Sequence, residues 1–183
     1  PLWSRGLGDV YKRQIVHFSG TATSSVAPTF DRAPLERAIQ NLELGSGTAI
    51  GEAIFASLDS LKAADVISKD KPLDKKQPPA RIVVMSDGQT NSGRSNDEAA
   101  TAAKDYGIPV STIAFGTEEG TIINPQNGQE VNVPVDGQAL QDIADTTGGD
   151  YFEAASSASL KKIYQNIGRQ VGIEIKNTNI GAY

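Results

Sequence analysis

The sequence of 183 residues contains no cysteine, one histidine, one methionine and one tryptophan. The absence of cysteine excludes disulfide bonds, thiolate nucleophiles and cysteine-ligated zinc, and it leaves the redox compartment open. No apolar run approaches the roughly 20 residues that a membrane-spanning helix needs. Residues 1–14 lack the apolar core of a secretion signal. We therefore expect the fragment itself to be soluble and to make no membrane contact.

The balance of charge is acidic, with a formal net charge of −5 and a sequence pI of about 4.9. This balance argues against nucleic acid or an anionic membrane surface as the main partner, and it is compatible with binding cations. The hydrophobic share of 38% and the charged share of 21% are those of an ordinary globular chain. The length allows one domain with a sizeable core.

The first fourteen residues show neither helical nor strand periodicity. The run from Asp9 to Gln14 resembles the translated end of a transposase sequencing adapter. We interpret residues 1–14 as a non-native segment and exclude them from the fold, with a disordered natural terminus as the alternative. The domain is then predicted over residues 15–172, and residues 173–183 form a polar tail.

Strand and helix patterns alternate along the rest of the chain. Residues 81–86 contain a continuous apolar run, which is typical of a strand buried on both faces, and residues 108–115 are predicted as another buried strand. Ser95 and Glu98 form a capping box that predicts a helix through Tyr106. An earlier hairpin or ribbon is predicted at residues 15–18 and 25–30. Apolar residues at helical spacing predict further helices at residues 34–42, 50–61, 139–147 and 160–171.

This order predicts an α/β fold with an open, mostly parallel sheet and helices on both faces. One segment departs from the alternation: two short strand patterns, residues 121–123 and 130–133, flank Asn127-Gly128, the strongest short hairpin signal. The hairpin follows the carboxyl end of a strand, the edge where open α/β sheets bind ligands. It is either one wall of a site or an excursion without a role there.

Two polar residues lie where loops leave that edge. Asp87 follows the apolar run 82–86, and Thr48 precedes the second predicted helix. Each has a purely local explanation. Asp87 suits an Asx-type turn with Gly88, and Thr48 suits the N-cap of the helix that begins at Ile50.

The enzymatic alternatives lack required residues. A dehalogenase-type phosphatase needs a nucleophilic aspartate two residues before Asp87, where this chain has Met85. A phosphate-binding Walker loop needs a lysine, and residues 45–52 contain none. A serine hydrolase would have to use His17, and the Gly-x-Ser-x-Gly elbow is absent. The sequence therefore predicts no enzyme.

The chain resembles the von Willebrand factor A, or integrin I-like, family, and within it the bacterial membrane-anchored group that includes aerotolerance-operon proteins. The resemblance covers about residues 15–172 and implies a Rossmann-like fold. It is carried by FSGTA at 18–22, GSGTAIGEAI at 45–54, IVVMSDG at 82–88, and GIPV leading to IAFG within 107–116.

The resemblance implies a metal-ion-dependent adhesion site that binds a protein partner. The family takes its metal ligands from an Asp-x-Ser-x-Ser motif, a threonine that matches Thr48, and an aspartate that matches Asp87. Mg²⁺ prefers such oxygen ligands and keeps several waters, so a carboxylate of the partner can complete its coordination. Gly47, Gly88 and Gln89 adjoin these positions and are expected to contact the partner.

The sequence departs from the family where it matters most, because Asp-x-Ser-x-Ser does not occur in it. The family places that motif after a central first strand, beside the strand at residues 82–86. We therefore expect an N-terminally truncated domain that lacks this strand, is poorly stable and binds Mg²⁺ weakly. The parent is expected to be membrane-anchored. The alternatives are a structural domain without metal binding and, less favoured, a Mg²⁺-dependent phosphatase-like enzyme.

Overall fold

The structure is a computed structural model that describes residues 12–43, 45–68, 80–87, 90–116, 121–123, 130–132 and 137–167. Within these residues it contains seven strands and five helices. In chain order they are β1 (Arg13–Phe18), β2 (Ala22–Thr29), α1 (Arg32–Gln40), α2 (Ile50–Ala63), β3 (Ile82–Ser86), α3 (Asn96–Asp105), β4 (Val110–Phe115), β5 (Thr121–Ile123), β6 (Glu130–Asn132), α4 (Gly137–Thr147), β7 (Tyr151–Ala154) and α5 (157–167).

The main sheet is parallel and has the strand order β3-β4-β7. Ile82 lies opposite Val110, and Ile113 lies opposite Phe152. The helix α3 connects β3 to β4, as a parallel pair requires. The predicted α/β architecture is confirmed, including the capping box, in which the Glu98 amide donates to Ser95 Oγ at 3.2 Å.

Helices cover both faces of this sheet, as the sequence predicts. Alternate residues of a strand point to opposite faces, and the two faces carry separate apolar clusters. On one face, Ile82 and Val84 pack with α2, α3 and α4. On the other face, Ile113 packs with the apolar side of α5. The larger cluster contains Ile54, Leu58, Ala99, Ala103, Leu140 and Ile143.

The first two strands form an antiparallel ribbon, which confirms the predicted pairing. The ribbon packs on α1 and α2. Its first strand begins at Arg13, so it includes the last two residues of the segment that we interpret as non-native, and the origin of residues 1–14 stays a prediction.

The ribbon and the main sheet are separate, because no strand pairing joins them in the described part of the chain. There β3 pairs only with β4, so its other side is an edge, and Met85 on this strand is 42% exposed. The absence of a central strand beside β3 stays a prediction. Helix α2 contacts both the ribbon and β3 and thereby holds the two sheets together.

The predicted extra hairpin is also present. The strands β5 and β6 pair antiparallel, with Ile122 opposite Val131. The Asn127-Gly128 turn itself lies outside the described residues. The hairpin is inserted between the carboxyl end of β4 and the start of α4. The loop of the candidate site that begins at Asp87 also leaves the sheet at the carboxyl end of its strand.

Candidate functional site

Thr48 lies in the loop that leads into α2. The N-cap of this helix is Ala49, and no side chain makes a capping hydrogen bond there. The interpretation of Thr48 as the N-cap is therefore wrong. The half-buried Thr48 is held instead by its backbone: its amide donates to Asn91 Oδ1 at 2.8 Å, and its carbonyl accepts from the Asn91 amide at 2.9 Å.

Asp87 directly follows β3 and is exposed to solvent at the carboxyl end of the strand. The predicted neighbours Gly88 and Gln89 lie outside the described residues. The loop is described again from Thr90, whose hydroxyl donates to Asn96 Oδ1 at 2.9 Å. This contact ties the loop to the first turn of α3.

Three loops meet at this end of the fold. The Gly20 amide, after β1, donates to the Ser46 carbonyl at 2.8 Å. Gly47 has a φ of +86°, and a Cβ there would lie 3.1 Å from Gly20 Cα and 3.2 Å from Asn91 Oδ1. A residue with a side chain would be strained in this conformation and would crowd both neighbouring loops. Gly47 thus allows the close approach that brings the Thr48 loop against the loop that begins at Asp87.

A second contact holds the loop after β3 against the first turn of α2. Glu52 on α2 accepts from Arg94 Nε at 2.8 Å and from Arg94 Nη2 at 2.7 Å, and its Oε1 also accepts from the Arg94 amide at 2.9 Å. The guanidinium lies 3.7 Å from the centroid of the Phe55 ring. A Cβ at Gly51 would collide with the Arg94 carbonyl. This two-point ion pair has the geometry that arginine favours with carboxylates.

The Glu52 ion pair predicts a pH dependence. Hydrogen bonds from the Arg94 side chain, then from its backbone, lower the pKa of Glu52 from 4.5 to about 2. A carboxyl whose pKa is lower in the folded state stabilises the fold fully above its unfolded pKa, and this stabilisation disappears as the pH falls through the folded value. Glu52→Gln is therefore expected to reduce the urea midpoint above pH 4.5, with a difference from the unaltered chain that shrinks towards pH 2.

Glu36→Gln is the control for this prediction, because Glu36 is exposed on α1. The urea midpoints of both variants are compared with that of the unaltered chain across the same pH range. A Glu52→Gln midpoint that runs parallel to that of the unaltered chain would contradict the proposed role of the pair.

The donor set at this edge suits a hard divalent cation. The predicted ligands are the Thr48 hydroxyl and the Asp87 carboxylate, and Mg²⁺ prefers such oxygen ligands with water in the remaining positions. In the described ranges, no group of three His, Cys, Asp or Glu side chains is placed to hold a metal. Any ion here would therefore be held by few protein ligands and many waters.

The sequence did not single out Asn91, Glu52 or Arg94. Their contacts join residues that are 42 or 43 positions apart in the sequence, and local periodicity carries no signal for contacts of such separation.

A cleft of about 360 Å³ lies elsewhere, between β7 and α5, and it is lined by Phe152, Lys162 and Ile163. None of the helices that the structure describes is both long and apolar enough to span a bilayer.

Comparison with known proteins gives a family match and bacterial relatives. The family model of the von Willebrand factor type A domain matches residues 9–166. A UPF0353 protein of Mycolicibacterium vanbaalenii is 40% identical over 168 residues, which cover 87% of this chain and 48% of the relative. The chain therefore spans about half the length of the curated relatives that it matches.

Two solved structures have a similar fold. An aerotolerance-related membrane protein from Bacteroides fragilis is 20% identical, with a TM-score of 0.66 over 93% of this chain and 83% of that one. Proximal thread matrix protein 1 from the mussel byssus, solved with a zinc-occupied MIDAS motif, is 16% identical, with a TM-score of 0.60 over 92% of this chain and 39% of that one. At these identities the likeness concerns the fold alone.

Proposed function

Because the chain belongs to the von Willebrand factor type A domain family, we propose that it is a non-enzymatic module that binds a protein partner through a divalent cation. One observation carries the proposal. The backbone of Thr48 is hydrogen-bonded to Asn91, in the loop that begins at Asp87. This contact supports the proposal that the Thr48 hydroxyl and the Asp87 carboxylate lie near one another, as a shared cation requires.

In this proposal Thr48 and Asp87 hold the ion, and Mg²⁺ is its physiological identity. Mg²⁺ keeps much of its hydration and leaves a position that a carboxylate of the partner can fill. Gly47, Gly88 and Gln89 are proposed to contact the partner. With only two side-chain ligands from this chain, the ion is held weakly.

The partner is a protein that offers a carboxylate. A net charge of −5 on this chain opposes the approach of an acidic group, and a bound dication reverses that repulsion locally. The same acidic balance argues against nucleic acid as the ligand. Recognition would therefore depend on the cation, and a chelator is expected to abolish it.

The residues beside Asp87 support the proposal that the chain is not an enzyme. A phosphatase of the dehalogenase kind needs a nucleophilic carboxylate two positions earlier, and the side chain there is the thioether of Met85, which cannot form an acyl phosphate. The His17 ring on β1 hydrogen-bonds the exposed Ser25 hydroxyl of β2, and Ser25 does not lie in a Gly-x-Ser-x-Gly elbow. A structural domain without metal binding is the alternative that the experiment below decides.

The test uses Mn²⁺ as a paramagnetic substitute for Mg²⁺, because both bind oxygen ligands. Titration of the full chain is expected to broaden the amide resonances of Thr48 and Asp87 before others. The variants Thr48→Val and Asp87→Asn are expected to raise the Mn²⁺ concentration for half-broadening by at least about tenfold, as loss of a ligand removes a large share of a weak site's affinity.

Matched controls come from α3. Thr101→Val and Asp105→Asn make the same chemical changes at exposed positions, and they are expected to leave the half-broadening concentration unchanged. Broadening that is spread evenly over acidic surface residues, or that survives both site variants, would contradict the proposal and favour the structural alternative.

A further inference from the structure

Asn91 lies at the point where the Thr48 loop meets the loop after β3. Its side-chain Oδ1 accepts two hydrogen bonds, from the Thr48 amide at 2.8 Å and from Ser92 Oγ at 3.0 Å. The backbone amide of Asn91 donates to the Thr48 carbonyl at 2.9 Å. The two residues therefore form a closed ring of hydrogen bonds, which fixes the peptide planes on both sides of Thr48.

This ring fixes the backbone from which the Thr48 side chain projects. Both backbone hydrogen bonds of Thr48 go to Asn91, and no side-chain cap holds the start of α2. The orientation of the Thr48 Cα–Cβ bond is thus set by a residue of the other loop. Gly47, with its φ of +86°, is a flexible neighbour that cannot impose this orientation by itself.

The rest of the Asn91 loop is held independently. The Glu52–Arg94 pair and the Thr90–Asn96 hydrogen bond anchor the loop on either side of Asn91. Removing the Asn91 side chain is therefore expected to free the Thr48 backbone amide without releasing the whole loop. This separation makes the role of Asn91 measurable.

We propose that Asn91 is the positioning residue of the metal site, which orients Thr48 towards the cation without binding the cation itself. The proposal rests on the proposed function, because it assigns to Thr48 the role of ligand. Groups that hold a metal ligand in its binding orientation raise metal affinity by about 10- to 100-fold in other proteins.

The experiment compares Asn91→Ala with Asn91→Asp in the full chain. The alanine variant removes the acceptor for the Thr48 amide, and the aspartate variant keeps an oxygen in its place. Two quantities are measured: the hydrogen-exchange rate of the Thr48 amide and the Mn²⁺ concentration that half-broadens the Asp87 resonance. Asn91→Ala is expected to increase both, the second by about tenfold, and Asn91→Asp is expected to restore the exchange rate of the Thr48 amide, because it keeps the acceptor oxygen.

Ser95→Ala is the control for a merely structural role. It removes the side-chain cap of α3, four residues along the same loop, and is expected to lower the melting temperature while leaving the Mn²⁺ midpoint unchanged. If the Asn91→Ala midpoint equals that of the unaltered chain, the positioning role is overturned while the proposed function stands. If the unaltered chain shows no localised broadening at Thr48 and Asp87, the proposed function has failed, and the assignment to Asn91 fails with it.

Discussion

Gly149→Ala is expected to destabilise the protein strongly, because the added methyl group meets backbone atoms. A Cβ at Gly149 would overlap the carbonyl carbon and oxygen of Val110 and lie 2.8 Å from the Ser111 nitrogen. These are backbone atoms of β4, so no side-chain rotation can relieve the overlap. The turn cannot move away easily, because the Gly149 amide donates to the Ala144 carbonyl at 2.9 Å. We expect a loss of about 3 kcal/mol or more in the free energy of unfolding, the upper range for overpacked interiors.

Gly148→Ala is the matched control. This neighbour has a φ of +73°, and a Cβ added to it would have no atom within 4 Å, so alanine there encounters only the strain of the left-handed conformation. That strain costs roughly 1 to 2 kcal/mol. Urea denaturation of both variants separates the two effects. Equal losses would mean that conformation, and not the contact with β4, explains the requirement for glycine at this turn.

Ile54→Ala is the second substitution that is expected to reduce the free energy of unfolding strongly. Ile54 is 0% exposed and packs in the apolar cluster between α2 and the main sheet. Shortening a buried isoleucine to alanine removes transfer free energy and leaves a cavity, at a cost of about 2 to 5 kcal/mol. We expect the upper half of that range, because α2 also contacts the ribbon and therefore supports both sheets at once.

The control for this substitution is Ile39→Ala on α1, where the side chain is 55% exposed. A surface change of this kind is expected to alter the free energy of unfolding by no more than about 0.5 kcal/mol. Each kcal/mol corresponds to roughly 2 to 4 °C in melting temperature for a chain of this size. If the unaltered chain is only marginally stable, Ile54→Ala is expected to abolish the cooperative melt altogether. Similar melts for the two isoleucine variants would contradict the core assignment.

The main elements of the fold were predictable because their signals are local. The patterns at residues 81–86 and 108–115 predicted β3 and β4, since short, mostly apolar segments between loops are typical of strands buried on both faces. The capping box at Ser95 and the strands flanking Asn127-Gly128 predicted α3 and the β5–β6 hairpin for similar reasons. All of these elements are present.

The candidate site was predictable only in part. The strand-loop order placed Asp87 at the carboxyl edge of the sheet, and the family resemblance singled out Thr48, whose role as a metal ligand stays a prediction. The same local reasoning was wrong about Thr48 as a helix cap, because the capping position falls on Ala49. A shift of one residue at a helix start is decided by how the preceding loop is held, and that loop is held by Asn91.

The sequence alone determined the fold class, the order of strands and helices, and the edge at which polar loops emerge, because each depends on periodicity over a few residues. The tertiary structure decided how those loops face one another. Asn91 is hydrogen-bonded to Thr48, which is 43 positions away in the sequence, and Arg94 is paired with Glu52, which is 42 positions away. Such contacts depend on the packing of α2 beside β3, which no local pattern encodes.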